Sequence, residues 1–259
     1  MCEVSGIAER VLQQKAPSAL SAANKMLTYF AKFDTEGKTA SEGDHPFVET
    51  ATFADDTKYH GEMWQSDFHF QDEPWIAEGT EADYDIQVKK NNLTQGIDDI
   101  VAWLSQKKGT KYKSGYMYTF LMNKFADDEQ VAQSFALRLL IHYIGDLVQP
   151  FHCENRFTKD YPKGDKGANL FPLPDHYSVK ELHALWDSVL YEEHKNIARP
   201  FTSDSWTTYQ KHLDEIVDTY SYAVKSTTVY KSTNYEKWAA ESYKLAQTLY
   251  SGVTENEAV

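Results

Sequence analysis

The sequence lacks the features that mark several familiar protein classes. Only two of its 259 residues are cysteine, Cys2 and Cys153, so it is not a disulfide-stapled scaffold, and both one bridge and two free thiols are compatible with it. No apolar run is long enough to predict a transmembrane segment, and no signal peptide is predicted within the chain. No Pro-, Gly- or Ser-rich linker divides it, which favours a single domain over residues 1–259.

Positive charge is also scarce. The chain has 26 Lys and Arg residues against 39 Asp and Glu residues, a formal net charge of -13. This balance disfavours long-range attraction to nucleic acid or to an acidic membrane, and so argues against a protein with a basic binding groove. Bound metal ions can reverse the field locally, so the charge does not exclude an enzyme that uses cations on a polyanion.

Helical periodicity is what the sequence does contain. Apolar residues recur at helical spacing, little of the chain alternates with period two, and an all-α, mainly helical fold is therefore predicted. Asp127 and Asp128 are candidate caps for a long central helix, and Ser178 is a candidate N-cap for a later one. Segment 60–82 is predicted to be irregular or to contain a short strand, and segment 157–177 is predicted to be a loop. The other predicted helices cover residues 4–14, 17–30, 47–59, 93–106, 205–225 and 235–250.

Segment 139–155 carries three metal-capable side chains within an apolar run. A helix over its first ten residues would place His142 and Asp146 one turn apart on one face. Pro150 cannot continue a helical ladder, so the chain is expected to turn there and to bring His152 back toward the same region. Buried polar groups need partners, so these three side chains indicate a specific role.

A second His-x-x-x-Asp pair, His183 and Asp187, lies among Leu182, Leu185 and Trp186. A single such pair is more often an ion pair at the edge of a core. Two pairs together with the histidine after the central helix are difficult to bury without a cation. Zinc takes His nitrogen and Asp oxygen, and catalytic zinc sites leave a position open for water. We therefore predict a metal site.

Five short segments carry further motifs, and they follow one another in a fixed order. They are Phe53-Ala54-Asp55 with Lys58, His69-Phe70-Gln71-Asp72, His142-x-x-x-Asp146 with Gln149-Pro150-Phe151-His152, Gly164-Asp165-Lys166-Gly167-Ala168-Asn169, and Leu182-His183-x-x-Trp186-Asp187. In this order, over nearly the whole chain, the sequence resembles the S1/P1 nuclease family of zinc-dependent class I nucleases and 3'-nucleotidases. The family pattern has Trp in place of Phe53 and Gly in place of Ala168.

The resemblance implies a helical fold of the zinc phospholipase C/P1 nuclease type. It implies hydrolysis of single-stranded DNA and RNA to 5'-phosphate products by a metal-activated water, with 3'-nucleotidase activity on 3'-nucleotides. It also implies one zinc bound by Asp55, His69, His142 and Asp146, and a second, more exposed zinc bound by His152, His183 and Asp187.

The resemblance further implies roles in catalysis and substrate binding. Asp55 and Lys58 would be catalytic, with Lys58 neutralising phosphate charge. Phe70 would stack on a base, Asp72 would accept from a base N–H, and Asn169 would help to bind substrate. Without the resemblance, core packing would explain Phe70 equally well.

A third zinc is implied between Asp146 and an N-terminal Trp and His. Neither of these precedes the helix predicted near Val4. We expect a truncated or misannotated start, with a signal peptide further upstream. The alternative is a lineage in which the third zinc is absent or Met1 contributes to its site, and in either case two zincs are expected to be fully liganded.

Other functions stay open at this point. A zinc phospholipase C-like lipid hydrolase would share the fold, although the base-type pair of Phe70 and Asp72 argues against it. A family member inactivated by loss of the third zinc, or a non-catalytic helical binding protein, is the other alternative. No stable protein partner is implied, and the family resemblance predicts a secreted, lysosomal or outward-facing location.

Overall fold

The computed structural model describes residues 2–87, 89–106, 114–174, 179–188, 198–226 and 233–257. Within these residues the chain forms ten α-helices and two short strands, so the predicted mainly helical fold is confirmed. The strands are β1 (Glu73–Ile76) and β2 (Glu154–Phe157). The helices are α1 (Cys2–Lys15), α2 (Pro17–Phe33), α3 (Pro46–Glu49), α4 (Phe53–Lys58), α5 (Leu93–Leu104), α6 (Tyr116–Lys124), α7 (Glu129–Val148), α8 (Leu182–Asp187), α9 (Ser203–Ser226) and α10 (Tyr235–Tyr250).

The chain divides into two compact units. The first unit consists of Met1–Ser66, Gln95–Gly145 and Ile197–Ser232. The second unit consists of Asp67–Thr94, Asp146–Asn196 and Thr233–Val259. The single functional domain proposed from the sequence stays a prediction.

The first unit is built around the apolar stripe of α2. Leu20, Leu27 and Phe30, three of the residues expected to point inward, are buried. The Phe30 ring meets that of Phe53 edge-on, with centroids 5.9 Å apart. Because Phe53 and Ala54 are buried, α4 is held by its first residues and the next residue, Asp55, lies at the surface.

The second unit contains a two-stranded parallel sheet. β1 pairs with β2 in a register that runs from Glu73 opposite Glu154 to Ile76 opposite Phe157. The pairing continues before the strands, because the Gln71 amide donates to the His152 carbonyl at 2.8 Å. These backbone bonds bring the His69–Asp72 motif beside His152, the last residue of the motif that begins at His142. A buried cluster with residues from the turn after α7, the loop at 164–173, α8 and α10 packs against the sheet: Phe151, Ala168, Phe171, Leu173, Leu182, Leu185, Ala246 and Tyr250.

Helix α7 begins and ends where the sequence predicts. The Asp128 carboxylate accepts a hydrogen bond from the Val131 amide at 3.2 Å, which caps the start of the helix. After Val148, Gln149 is extended, and its side chain accepts from the Phe151 amide at 2.6 Å. The predicted turn at Pro150 is therefore confirmed.

Helix α7 is also, among the described residues, long and apolar enough by composition to cross a membrane. Of its most apolar 18-residue window, 67% is buried inside the protein. The core helix of a soluble protein passes the same test, so this helix is weak support for a membrane span.

Two of the predicted helices are wrong, one in where it begins and one in being continuous. Helix α8 was expected to follow directly after Ser178, which lies outside the described residues, but it begins at Leu182. Just before it, the Leu173 amide donates to the Lys180 carbonyl at 2.9 Å, so the backbone there pairs with another segment instead of coiling. The predicted helix at 47–59 is divided into α3, a 3₁₀ turn at Thr50–Thr52 and α4.

Candidate metal centre

In the first unit, Asp55 and His142 lie together. His142 is fully buried, and its Nδ1 lies 2.7 Å from the Ala51 carbonyl oxygen. A carbonyl can only accept, so Nδ1 carries a proton, and in the neutral imidazole Nε2 then carries a lone pair. That Nε2 lies 3.5 Å from Asp55 Oδ2, while Lys58 Nζ lies 3.3 Å from Asp55 Oδ1. The first unit thus places two candidate ligand atoms, Asp55 Oδ2 and His142 Nε2, close to each other and near the Lys58 ammonium.

In the second unit, Asp146 contacts two histidines. Its Oδ2 lies 2.9 Å from His69 Nδ1, and both side chains are almost completely buried. Its Oδ1 lies 3.8 Å from His152 Nδ1. Burying a carboxylate is costly unless a positive charge compensates it. The burial of Asp146 therefore favours a role in binding a cation.

His152, His183 and Asp187 form a second group in the same unit. Their candidate ligand atoms all lie within 4.8 Å of one another. The two Nε2 atoms are 3.2 Å apart, and His183 Nε2 lies 3.7 Å from Asp187 Oδ2. Both histidines are nearly buried, whereas the Asp187 side chain is 48% exposed, so the group is open to solvent on its carboxylate side.

The donor set of this group fits a metal ion. His152 Nδ1 lies 2.7 Å from the His69 carbonyl, and His183 Nδ1 lies 2.6 Å from the Gly167 carbonyl. Each Nδ1 therefore donates its proton, and in the neutral imidazoles the two Nε2 lone pairs face each other. Two lone pairs at this distance repel, and a cation held by both would remove the repulsion. Histidines that bind zinc usually donate their other ring N–H to a carbonyl or a carboxylate, as these two do. Nitrogen and oxygen donors also suit zinc.

The electrostatics of His183 agree with this interpretation. Burial lowers its pKa, and the neighbouring His152 lowers it further, although Asp187 opposes both effects. A neutral imidazole is the form that binds metal. Gln149 orients the third candidate ligand, because its Nε2 donates to Asp187 Oδ1 at 2.9 Å.

Phe70 and Asp72 lie beside the second group. The Phe70 ring stacks on the His152 ring with centroids 4.9 Å apart and an angle of 9° between the planes. Asp72 has a φ of +51°, in the left-handed region that few residues other than glycine adopt. The second unit therefore brings both residues expected to contact a base next to residues expected to bind metal.

The loop at 164–169 holds His183 in place. Gly167, with a φ of +62°, supplies the carbonyl that anchors the imidazole. Ala168, where the family pattern has Gly, has a φ of +59°, a conformation that costs an ordinary residue roughly 1–2 kcal/mol. Asn169 is exposed, and its side chain donates to the Lys166 carbonyl at 2.8 Å. Its role in substrate binding stays a prediction.

A buried acid cluster lies beneath this loop. The Tyr250 hydroxyl bonds Glu154 Oε1 at 2.7 Å and also contacts Asp165. Burial, and then the charge of Asp165, raise the pKa of Glu154 to about 9. One hydroxyl proton cannot serve two ionised carboxylates, so a protonated Glu154 satisfies the cluster.

Sequence reasoning missed the groups that orient the ligands. The Ala51, His69 and Gly167 carbonyls are backbone atoms, so no residue type marks them. Gln149 was noticed as part of a motif, but its bond to Asp187 depends on how α8 packs. Lys89, which contacts Asp72, had no recognisable signal.

Comparison with known protein families bears on all of these residues. A family model described as S1/P1 Nuclease matches residues 2–259, and so includes all five motif segments. No curated protein matches the sequence.

Proposed function

The chain belongs to the S1/P1 nuclease family, and we propose that it is a zinc-dependent phosphodiesterase that hydrolyses single-stranded DNA and RNA to 5'-phosphate products, with 3'-nucleotidase activity. The family consists of zinc-dependent hydrolytic nucleases that act on nucleic acids and are generally secreted. We extend to this chain a secreted, lysosomal or outward-facing location. The observation that carries the proposal is the pair of carbonyl-anchored imidazoles, His152 and His183, with Nε2 atoms 3.2 Å apart.

The proposal assigns seven residues as zinc ligands and counts two fully liganded zincs. When bound, zinc supplies Lewis acidity, which lowers the pKa of water and stabilises charge on phosphate oxygens. In the neutral forms of His142, His152 and His183, Nδ1 carries the only ring proton, so no proton would have to leave their Nε2 atoms on binding. The ligands are Asp55, His69, His142, Asp146, His152, His183 and Asp187.

The chain's own residues account for substrate binding. Lys58 gives a single point charge for a phosphate oxygen, and Asp55 Oδ1 holds its ammonium at 3.3 Å. Phe70 presents a ring face for stacking, which is worth about 1–3 kcal/mol per base and tolerates any base. Asp72 accepts from a base N–H, and Asn169 is assigned to substrate binding. Single strands are preferred because a base must leave its stack to reach these groups.

The test is a set of parallel assays on zinc-loaded protein. We expect cleavage of single-stranded DNA and RNA with 5'-phosphate ends, slower cleavage of duplex DNA, and release of phosphate from 3'-nucleotides. Phosphatidylcholine should stay intact. Cleavage of lipid alone, or no hydrolysis by protein that contains zinc, would overturn the proposal.

A further inference from the structure

Lys89 lies beside the two residues assigned to base contact. Its Nζ is 2.5 Å from Asp72 Oδ2, 3.6 Å from Asp67 Oδ1 and 5.5 Å from the centroid of the Phe70 ring. The Lys89 side chain is 39% exposed, whereas that of Asp72 is 15% exposed. One ammonium therefore contacts both the stacking ring and the hydrogen-bond acceptor.

The backbone fixes the carboxylate that Lys89 contacts. On one side of Asp72, the Gln71 amide donates to the His152 carbonyl at 2.8 Å. On the other side, the Glu73 amide donates to the Cys153 carbonyl at 3.1 Å. With its φ in the left-handed region, Asp72 projects from a backbone that is bonded before and after it. The main chain at Asp72 is thus held in place, and the ion pair with Lys89 holds its carboxylate.

The stacking ring is fixed as well. One face of Phe70 is covered by the parallel His152 ring. A base that stacks on the other face therefore lies in a plane set by the protein. The edge of such a base would then face the same two polar groups, Asp72 and Lys89, whichever base is bound.

The chemistry of a lone carboxylate would favour one base. Its two oxygens can accept two parallel N–H bonds, and guanine, with N1–H beside N2–H, presents two adjacent donors on its Watson–Crick edge. Lys89 occupies Oδ2, so Oδ1 is left to accept from the base. The ammonium adds a donor next to that acceptor. Each of the four bases has a donor beside an acceptor on this edge, so the pair suits them all.

We infer that Lys89 is a specificity-determining residue whose ion pair with Asp72 makes the base site tolerant of all four bases. The inference rests on the proposed function, because it assumes that Phe70 and Asp72 contact a base. It assigns Lys89 a role in base choice and leaves the chemistry of phosphate hydrolysis to the metal ligands.

The test replaces Lys89 with an uncharged residue of similar length. Zinc-loaded wild type, Lys89→Met and Lys90→Met are titrated calorimetrically with the 5'-monophosphates of deoxyguanosine, deoxyadenosine, deoxycytidine and thymidine. Lys90 is the matched control, since it is exposed and forms no ion pair within the described residues. Cleavage sites on a single strand of mixed sequence are mapped for the same three proteins.

We expect wild type and Lys90→Met to bind the four nucleotides with similar affinity. Lys89→Met should shift the ratio of guanine to the other bases by about tenfold toward guanine, the discrimination typical of one bidentate contact. Its cleavage sites should shift toward guanine in parallel. Unchanged ratios in Lys89→Met, with wild type binding and cleaving normally, would overturn the role of Lys89 alone. A wild type that neither binds nucleotides nor cleaves nucleic acid would overturn the proposed function as well.

Discussion

The two His-x-x-x-Asp pairs have the same spacing and different surroundings. On α7, His142 and Asp146 are both fully buried and turn to different partners, His142 toward Asp55 and Asp146 toward His69. On α8, His183 faces its own Asp187 at 3.7 Å. A 20-residue helix buried on most sides offers partners in several directions, whereas a six-residue helix offers few. Spacing thus identifies candidate ligands, and burial decides with which residues they pair.

The largest effect is expected from His183→Ala. It removes a nearly buried candidate ligand whose Nε2 faces that of His152, and we expect activity to fall by at least about 100-fold, the upper end of the loss seen for outer-shell partners. Asp187→Ala, at the exposed side of the group, should cost less. Initial rates and zinc content by elemental analysis measure both, with the exposed His60→Ala as control. Equal losses in the two variants would contradict the difference drawn between buried and exposed ligands.

A smaller effect concerns stability without metal. Asp146→Ala leaves the buried His69 Nδ1 without its carboxylate, and we expect a loss of about 1–3 kcal/mol in the free energy of unfolding. Asp187→Ala should change it by no more than about 0.5 kcal/mol, as is usual at exposed positions. Urea unfolding in the presence of a chelator measures both. A loss in Asp187→Ala as large as that in Asp146→Ala would show that burial does not distinguish the two helices.

The smallest effect is expected from Gln149→Ala. The change removes the amide that orients Asp187, so zinc affinity should weaken by about tenfold while the protein stays folded. Competition with a zinc-binding dye measures the affinity, and circular dichroism monitors the fold. An unchanged affinity would mean that Asp187 reaches the metal without help, and that α8 alone positions it.

Sequence reasoning predicted the long helices better than their connections. α2 and α7 have enough turns for an apolar stripe or a cap to be recognised, while the ligands named from the S1/P1 motifs stay a prediction. Strand β1 lies in segment 60–82, which was predicted to be irregular or to contain a short strand, whereas β2 was not predicted, because the pairing is made by backbone atoms between residues 81 positions apart. The start of α8 was wrong for the same reason, since backbone pairing near Lys180 overrode local helical preference.

The carbonyl anchors described above affect how the sequence can change over time. A carbonyl is present whatever side chain its residue carries, so no particular residue type is needed at position 51 to supply the acceptor for His142, although Ala51 is buried and a larger side chain there would displace the main chain. At Gly167 the situation is reversed, because an added Cβ would collide with the Phe151 carbonyl. The path of the main chain therefore sets the orientation of these imidazoles. Residue identity matters where it limits that path, as at Gly167. Such a site can tolerate drift in its surroundings while depending strictly on a single glycine for His183.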